Sequence, residues 1–306
     1  QGHEVVPLPA DLAPREEAEW FSALIQERQA HGVITDLRTL PPGLLDAVHA
    51  TGALCVVIDE WGRRAIRADL LTNGTIVPAW HHYELEGEVR CCIGLRFALL
   101  EPQFAELHER PRAPRTDPLR VLIALGGDDP FFLTAKILRA LERLPRALEV
   151  TAVVGPAFTN GEEIERLAAA SRHRAAVRRN VSNMAELMFR SDVALAGGGL
   201  VALELACVGT PGFIVCEVSH QLETAAALER EGAAVGLGFG VAVPEQEIAG
   251  EVAALLDDDG RRARMSASGR RVIDGRGCAR IAEAILNGLR ARGHLDERQA
   301  AVPLGR

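Results

Sequence analysis

A chain of 306 residues, 48% of them hydrophobic and 25% charged, has the composition of a globular protein and the length for two domains of ordinary size. Its net charge of −8 excludes the dense basic face that nucleic-acid binding requires; the arginines at Arg110–Arg115 and Arg261–Arg271 sit among acidic residues and read as solvated helix faces and a linker. No window holds 18 uninterrupted apolar residues, so no membrane span is expected.

The chain opens Gln1-Gly2-His3, without an initiator methionine, and residues 4–8 read as a strand. A helix over Arg15–Ala30 follows, with Trp20, Phe21, Leu24 and Ile25 on one face. Val33–Asp36 and Leu54–Asp59 are further strands. Each ends in an aspartate, at the edge where an open parallel sheet forms its ligand crevice. Residues 92–100, CIGLRFALL, make one more apolar segment. The tract Glu109–Pro118, ERPRAPRTDP, carries three prolines and little to bury, so it reads as a linker. The expected domains are therefore 1–115 and 116–306.

Beyond the linker the alternation restarts. Arg120–Leu125 is a strand, then Gly126-Gly127-Asp128-Asp129-Pro130 leads into a helix, with Asp128 or Asp129 as its cap and Pro130 at its first position. Leu133, Ile137, Leu138, Leu141 and Leu144 form the buried stripe of that helix. Further strands are expected at Val150–Val154, around Val177, at Val193–Ala196, at Phe213–Val218 and around Val235, with helices between them. Asn183 and Glu186 have the spacing of a capping box. This βα alternation requires an α/β fold with parallel sheets covered on both faces. Two such domains would leave a cleft between their strand ends.

The most informative stretch is Ser191–Val218. A strand ends at Gly197-Gly198-Gly199, a helical run holds Glu204, Gly209-Thr210-Pro211 stop it, and a buried strand returns. Glycines between strand and helix let a ligand approach the backbone, and a helix start offers free N–H groups to an anion. Glu204 is then placed to accept hydrogen bonds from ribose hydroxyls. The same glycines also serve for tight packing, and Glu204 for a solvated helix face.

These residues also carry a resemblance. NMAELM, the glycine turn with Glu204, HQLETAAALEREGAAVGLG and VIDGRGCARIAEAI resemble the UDP-sugar hydrolases of the pseudaminic-acid pathway (PseG type) and the related spore-coat polysaccharide proteins (SpsG type). CVVIDE and GLRFALLEPQF resemble segments of the same family. The likeness is strongest over 181–238 and weakest over 60–90. It implies the GT-B architecture: two Rossmann-like, doubly wound parallel-sheet domains facing a cleft, with the nucleotide on the second and the last helix packing back on the first.

The activity implied is cleavage of a UDP-activated amino or deoxy sugar between anomeric carbon and phosphate, in surface-glycan synthesis, with UDP released and neither metal nor cofactor required. The resemblance further implies that Gly198, Gly199, Leu200 and Glu204 contact diphosphate and ribose. Gly126, Gly127 and Asp128 border phosphate or sugar, Asn183 and Met184 lie near the uracil, and His220 and Gln221 face the sugar. The peptidoglycan GlcNAc transferases (MurG type) share a similar turn, so transfer from a UDP-sugar donor is the alternative activity.

Two departures stand out. The hydrolases carry two hydroxyl residues where this chain has Leu200 and Val201. Their opening strand and histidine-bearing glycine loop have no counterpart, so the first strand–helix unit is expected to be missing. That absence motivates a third reading, a non-catalytic nucleotide-sugar-binding protein. Among the histidines, His220 has the best context for proton transfer, with capping of the next helix as the alternative. His81 and His82 either line the cleft or sit in a loop. Asp36 is a further catalytic candidate, and Asp59 faces the cleft or supports a turn.

The six cysteines (Cys55, Cys91, Cys92, Cys207, Cys216, Cys278) show no CxxC spacing and lie mostly in apolar runs, which points to a reduced, cytoplasmic setting and no metal site. The expected partner is a small nucleotide sugar. The sequence does not indicate an oligomeric state.

Overall fold

The computed structural model describes residues 3–112 and 118–295. The chain divides into two compact units, Gln1–Phe97 with Ala279–Arg306, and Ala98–Cys278.

In the first unit, helix α1 (Pro14–Glu27) leads to strand β1 (Gly32–Asp36), helix α2 (Leu44–Ala50) and strand β2 (Leu54–Ile58). Strands β3 (Arg64–Ile66), β4 (Leu70–Asn73), β5 (Tyr83–Leu85) and β6 (Arg90–Ile93) follow. A four-stranded parallel sheet has the order β1-β2-β4-β6, and β3 pairs with β5 in a small second sheet. Strand β2 is apolar throughout because both of its faces are covered. On one face Cys55 and Val57 pack with Ile25, Val48 and Leu71; on the other, Leu54 and Val56 pack with Leu70, Cys92, Ile281 and Ala284.

Residues 4–8 are not a strand. Pro7 and Pro9 remove backbone donors, Val5 is 86% exposed, and no strand pairs with this segment among the described residues. Glu4 instead pairs with Arg28 at 2.7 Å.

The second unit begins with α3 (Pro102–His108) and continues with β7 (Leu119–Ala124), α4 (Leu133–Leu141), β8 (Leu148–Val154), α5 (Gly161–Ala169), β9 (Arg174–Arg179) and α6 (Met184–Arg190). It is completed by β10 (Val193–Ala196), α7 (Leu200–Val208), β11 (Gly212–Cys216), α8 (Ser219–Arg230), β12 (Val235–Phe239), α9 (Glu245–Leu256) and α10 (Asp259–Val272). Helix α11 (Gly277–Ala291) then carries the chain back into the first unit, where its Ile281 and Ala284 fill the sheet face beside Leu54.

The division at Phe97/Ala98 lies ahead of the proline tract, because α3 packs on α7: Cys207 Sγ approaches Phe104 O at 3.7 Å, and His108 Nδ1 lies 2.9 Å from Cys207 O. Residues 113–117 of that tract lie outside the described residues. Arg112, just before them, is half-buried rather than fully solvated. Its guanidinium donates to Ser191 O at 2.5 Å and to Thr210 Oγ1 at 2.8 Å, and burial lowers its pKa to about 10.

All six strands of the second sheet are parallel, in the order β12-β11-β10-β7-β8-β9. From β7 the chain builds outward through β8 and β9, then crosses back and builds the other way through β10, β11 and β12. The strand order is that of a Rossmann fold, and the reversal lies between β7 and β10. Strands β10 and β11 are buried at every position, as their unbroken apolar sequences require.

Helix α4 starts later than its sequence suggests. The N-cap position is Phe132, not Asp128 or Asp129, but the Asp129 carboxylate accepts the Leu133 and Thr134 amides at 2.7 and 2.9 Å, while Pro130 lies in the turn before the helix. The half-formed capping box at α6 is a second difference. Asn183 accepts the Glu186 amide at 3.0 Å, but Glu186 reaches Arg110 and Arg190 instead of returning to the cap.

Asp129 is 1% exposed and holds two amides. Asp129→Ala is expected to cost about 1–3 kcal/mol, the penalty for leaving buried donors unpaired. Denaturant titration measures it, and an unchanged midpoint would contradict this pairing.

Candidate functional site

At the strand-order reversal the loops after β7 and β10 part, and the carboxyl ends of the strands stand open beside them. A cavity of about 290 Å³ lies there within the second unit. Gly126 and Gly127 line it after β7, Gly155 and Pro156 after β8, Asn180 and Val181 after β9, Met184 at the start of α6, and Val201 and Glu204 on α7.

Helix α7 is buried on most of its surface: Ala202, Leu203 and Leu205 through Val208 are all covered. Val201 and Glu204, three residues apart, share the face that lines the cavity. Glu204 is therefore not a solvated surface residue. Burial first, and then the Glu101 charge, push its carboxyl up to about 7.

The three glycines divide their roles. A Cβ on Gly197 would collide with Leu125 O, and one on Gly198 would stand 2.6 Å from Gln221 Cβ, so these two serve close packing. Gly199 faces open space and is the N-cap of α7; no side chain caps the helix there. The first amides of α7 thus have the arrangement that binds anions at helix starts. Leu200 is exposed beside them. Among the described residues no lysine or arginine lines the cavity, so a bound anion would meet backbone dipoles there.

Gln221 and His220 lie in the first turn of α8, since β11 ends at Cys216, two residues earlier than its sequence suggests. The Glu217 amide donates to Gln221 Oε1 at 2.7 Å, which ties the start of α8 to the end of β11. Asp128 is exposed and accepts the Asp129 amide at 2.8 Å; Asn183, also exposed, is the cap of α6.

In the first unit, Asp36 is exposed at the end of β1. Partial desolvation and the Asp36 charge raise the Glu60 carboxyl. Asp59 is buried and supports a turn, accepting the Trp61 and Gly62 amides at 3.0 and 2.7 Å and pairing with Arg64.

The structure brings Gly126, Gly127, Met184 and Glu204 around one cavity, with Gly199 and Leu200 at the adjoining helix start. It adds Gly155, Pro156, Asn180, Val181 and Val201, which sequence reasoning passed over. Two of these carried a signal: Gly155-Pro156 is a turn dipeptide directly after β8, and Asn180 (φ 51°) is a residue type that tolerates the left-handed region at the end of β9. Glu217 was also missed. Burial and the nearby Asp129 and Asp128 charges push its carboxyl up to about 7. All six cysteines are free, and the described residues contain no cluster of three or more metal-ligating side chains. No described helix is long and apolar enough to cross a membrane.

No protein-family model matches the chain. Over 288 residues it is 27% identical to the spore coat polysaccharide biosynthesis protein SpsG of Bacillus subtilis, covering 90% of this chain and 81% of that one. Over 192 residues it is 31% identical to the UDP-N-acetylglucosamine–N-acetylmuramyl-(pentapeptide) pyrophosphoryl-undecaprenol N-acetylglucosamine transferase of Sorangium cellulosum, covering 60% of this chain and 47% of the transferase. The crystal structure of MurG from Acinetobacter baumannii superposes with a TM-score of 0.65 at 14% identity, covering 90% of this chain and 78% of MurG. The parallel sheets, the reversal beside β7 and these likenesses lead to one statement of identity: the chain has the GT-B fold and is similar over most of its length to the spore-coat polysaccharide protein SpsG.

Proposed function

We propose that the second unit binds a UDP-sugar and that the protein hydrolyses it, releasing UDP, in the synthesis of a surface polysaccharide. The observation that carries this reading is the pairing of Glu204 with the uncapped start of α7 on the rim of one cavity. A nucleotide needs both: an acceptor for its ribose hydroxyls and donors for its diphosphate.

The cavity is at the small end of ligand pockets, which run from roughly 300 to 1,000 Å³. It suits the nucleoside part alone. In this reading uracil lies against Gly155, Pro156, Val181 and Met184, and the ribose diol donates to Glu204. The diphosphate meets the amides of Gly199, Leu200 and Val201, with His220 and Gln221 toward the sugar. Amide donors aimed at the diphosphate stabilise it more as its charge grows on departure, which lowers the barrier without a metal. The activated-sugar chemistry is supported by the likeness to SpsG and to a transferase named for UDP-N-acetylglucosamine. That second likeness favours transfer to an acceptor as the alternative. Free sugar formed without an acceptor means hydrolysis, and acceptor-dependent UDP release means transfer.

Calorimetry with UDP tests the site. Glu204→Ala should weaken binding about 10- to 100-fold, the loss of charge-assisted hydrogen bonds worth about 1.5–3 kcal/mol. An equal dissociation constant would remove Glu204 from the site.

A pH dependence follows as well. Ribose hydroxyls favour ionised Glu204, whose carboxyl in the empty site titrates at about 7. Binding must therefore strengthen as pH rises from 6 through 7 and then level off, by up to about tenfold per pH unit below the pKa. UDP-N-acetylglucosamine is the suitable probe, because its diphosphate diester does not titrate in this range. Glu204→Gln should flatten that profile.

A further inference from the structure

A second cavity of the second unit, of about 610 Å³, lies at the opposite edge of its sheet from the one beside Glu204. Asp192 and Pro211 line it and immediately precede β10 and β11, so it opens at the amino ends of those strands. Helix α10 forms the other wall with Arg262, Ser266 and Arg270, and Arg112 completes the lining. The two cavities share no lining residue among those described.

Three guanidiniums meet there. Arg112 donates to Ser191 O, Thr210 Oγ1 and Val208 O; Arg270 donates to Arg110 O at 2.8 Å and to the same Val208 carbonyl at 3.2 Å. Both also lie by the Phe189 ring, 5.4 and 6.0 Å from its centroid. All of these partners are neutral, and neither arginine forms an ion pair among the described residues. The arrangement is costly: burial, and then the Arg270 charge, push the Arg112 pKa down to about 10, with the Asp192 charge opposing them. The C-terminal end of α7 attracts a cation, but that does not account for two on one carbonyl and a third across the cavity. The third, Arg262, donates to Leu255 O and Leu256 O at 2.8 and 2.6 Å and pairs with the exposed Asp259. Asp192, the other carboxylate here, is itself raised in pKa by burial and accepts the Arg120 amide at 2.7 Å. Positive charge is therefore in excess. Hydrogen bonds among the described residues leave unused the Nε–H groups of Arg112 and Arg262 and the Ser266 hydroxyl, while Arg270 Nε is buried without a partner.

We propose that this cavity binds a phosphate monoester, with Arg112, Arg262, Arg270 and Ser266 as its donors. Guanidiniums present planar forks that match phosphate oxygens, and a hydroxyl adds a further donor. A dianionic phosphate would neutralise the excess charge and relieve the repulsion between Arg112 and Arg270. The cavity is larger than a bare phosphate needs and falls within the range of small-molecule pockets, roughly 300 to 1,000 Å³, so the ligand carries an organic part of the size of a sugar. Ala263 and Ala267, exposed on the α10 wall, leave room for it. The site draws on nothing in the proposed nucleotide chemistry.

Calorimetric titration of the full chain with glucose 1-phosphate tests this. Saturable binding is expected, with a dissociation constant below about 1 mM that rises with added salt. Inorganic phosphate should bind about tenfold more weakly, because it leaves most of the cavity unfilled. Ala267→Glu sets a carboxylate on the α10 wall without touching any arginine hydrogen bond, and it should weaken glucose 1-phosphate binding about tenfold or more by like-charge repulsion. Ala263→Glu, one turn earlier on the same face, should act alike and serves if the first variant does not fold. No binding by the unsubstituted protein would overturn the proposal. Equal affinity in a folded glutamate variant would place the phosphate elsewhere, and equal affinity for inorganic phosphate would overturn the monoester assignment. None of these results bears on UDP binding at the other cavity.

Discussion

The second unit is organised by one topological constraint: the sheet grows in both directions from β7, so the loops after β7 and β10 must part. No strand or helix can close the gap between them without breaking the parallel ladder. The gap therefore persists as a cavity; of the glycines at its border, Gly155 and Gly197 allow a close backbone approach, and Gly126 takes a positive φ of 134°. Gly197 and Gly198 answer to packing, whereas a Cβ on Gly199 would meet only open space. A glycine-rich turn of this kind need not be assigned wholly to packing or wholly to binding.

Charge around this gap comes from backbone dipoles and carboxyl groups, since among the described residues no lysine or arginine lines the cavity. Amides at the start of α7 supply the positive end of a dipole, while burial and neighbouring carboxylates push the Glu204 and Glu217 carboxyls up to about 7.

The first unit solves a different problem. Its strands end in polar residues that would be costly to bury alone, and linking Asp59, Tyr83, Asn73, Thr75 and His81 in one directed series satisfies them. Asn73 joins the two ends of the series, its amide nitrogen donating to Trp80 O and the Tyr83 hydroxyl and its oxygen accepting from Thr75. Apart from Asp59, this series lies within 60–90, where the resemblance read from the sequence is weakest.

Periodic and unbroken apolar patterns made most strands and helices of the second unit readable, and the glycine turn with Glu204 marked a strand end that borders a cavity. The failures were local. Residues 4–8 look like a strand by composition, but their prolines cannot join a ladder. Pro130 looks like a first helical residue, but Asp129 reaches past it to cap the helix at Leu133. Arg112 looks like linker, yet its guanidinium caps buried carbonyls. By itself the sequence determined which segments are buried and where the chain must turn, since hydrophobicity and glycine or proline chemistry act over a few residues. Only the tertiary structure decided which loops share a cavity and that Glu204 is desolvated, because burial depends on neighbours distant in the chain.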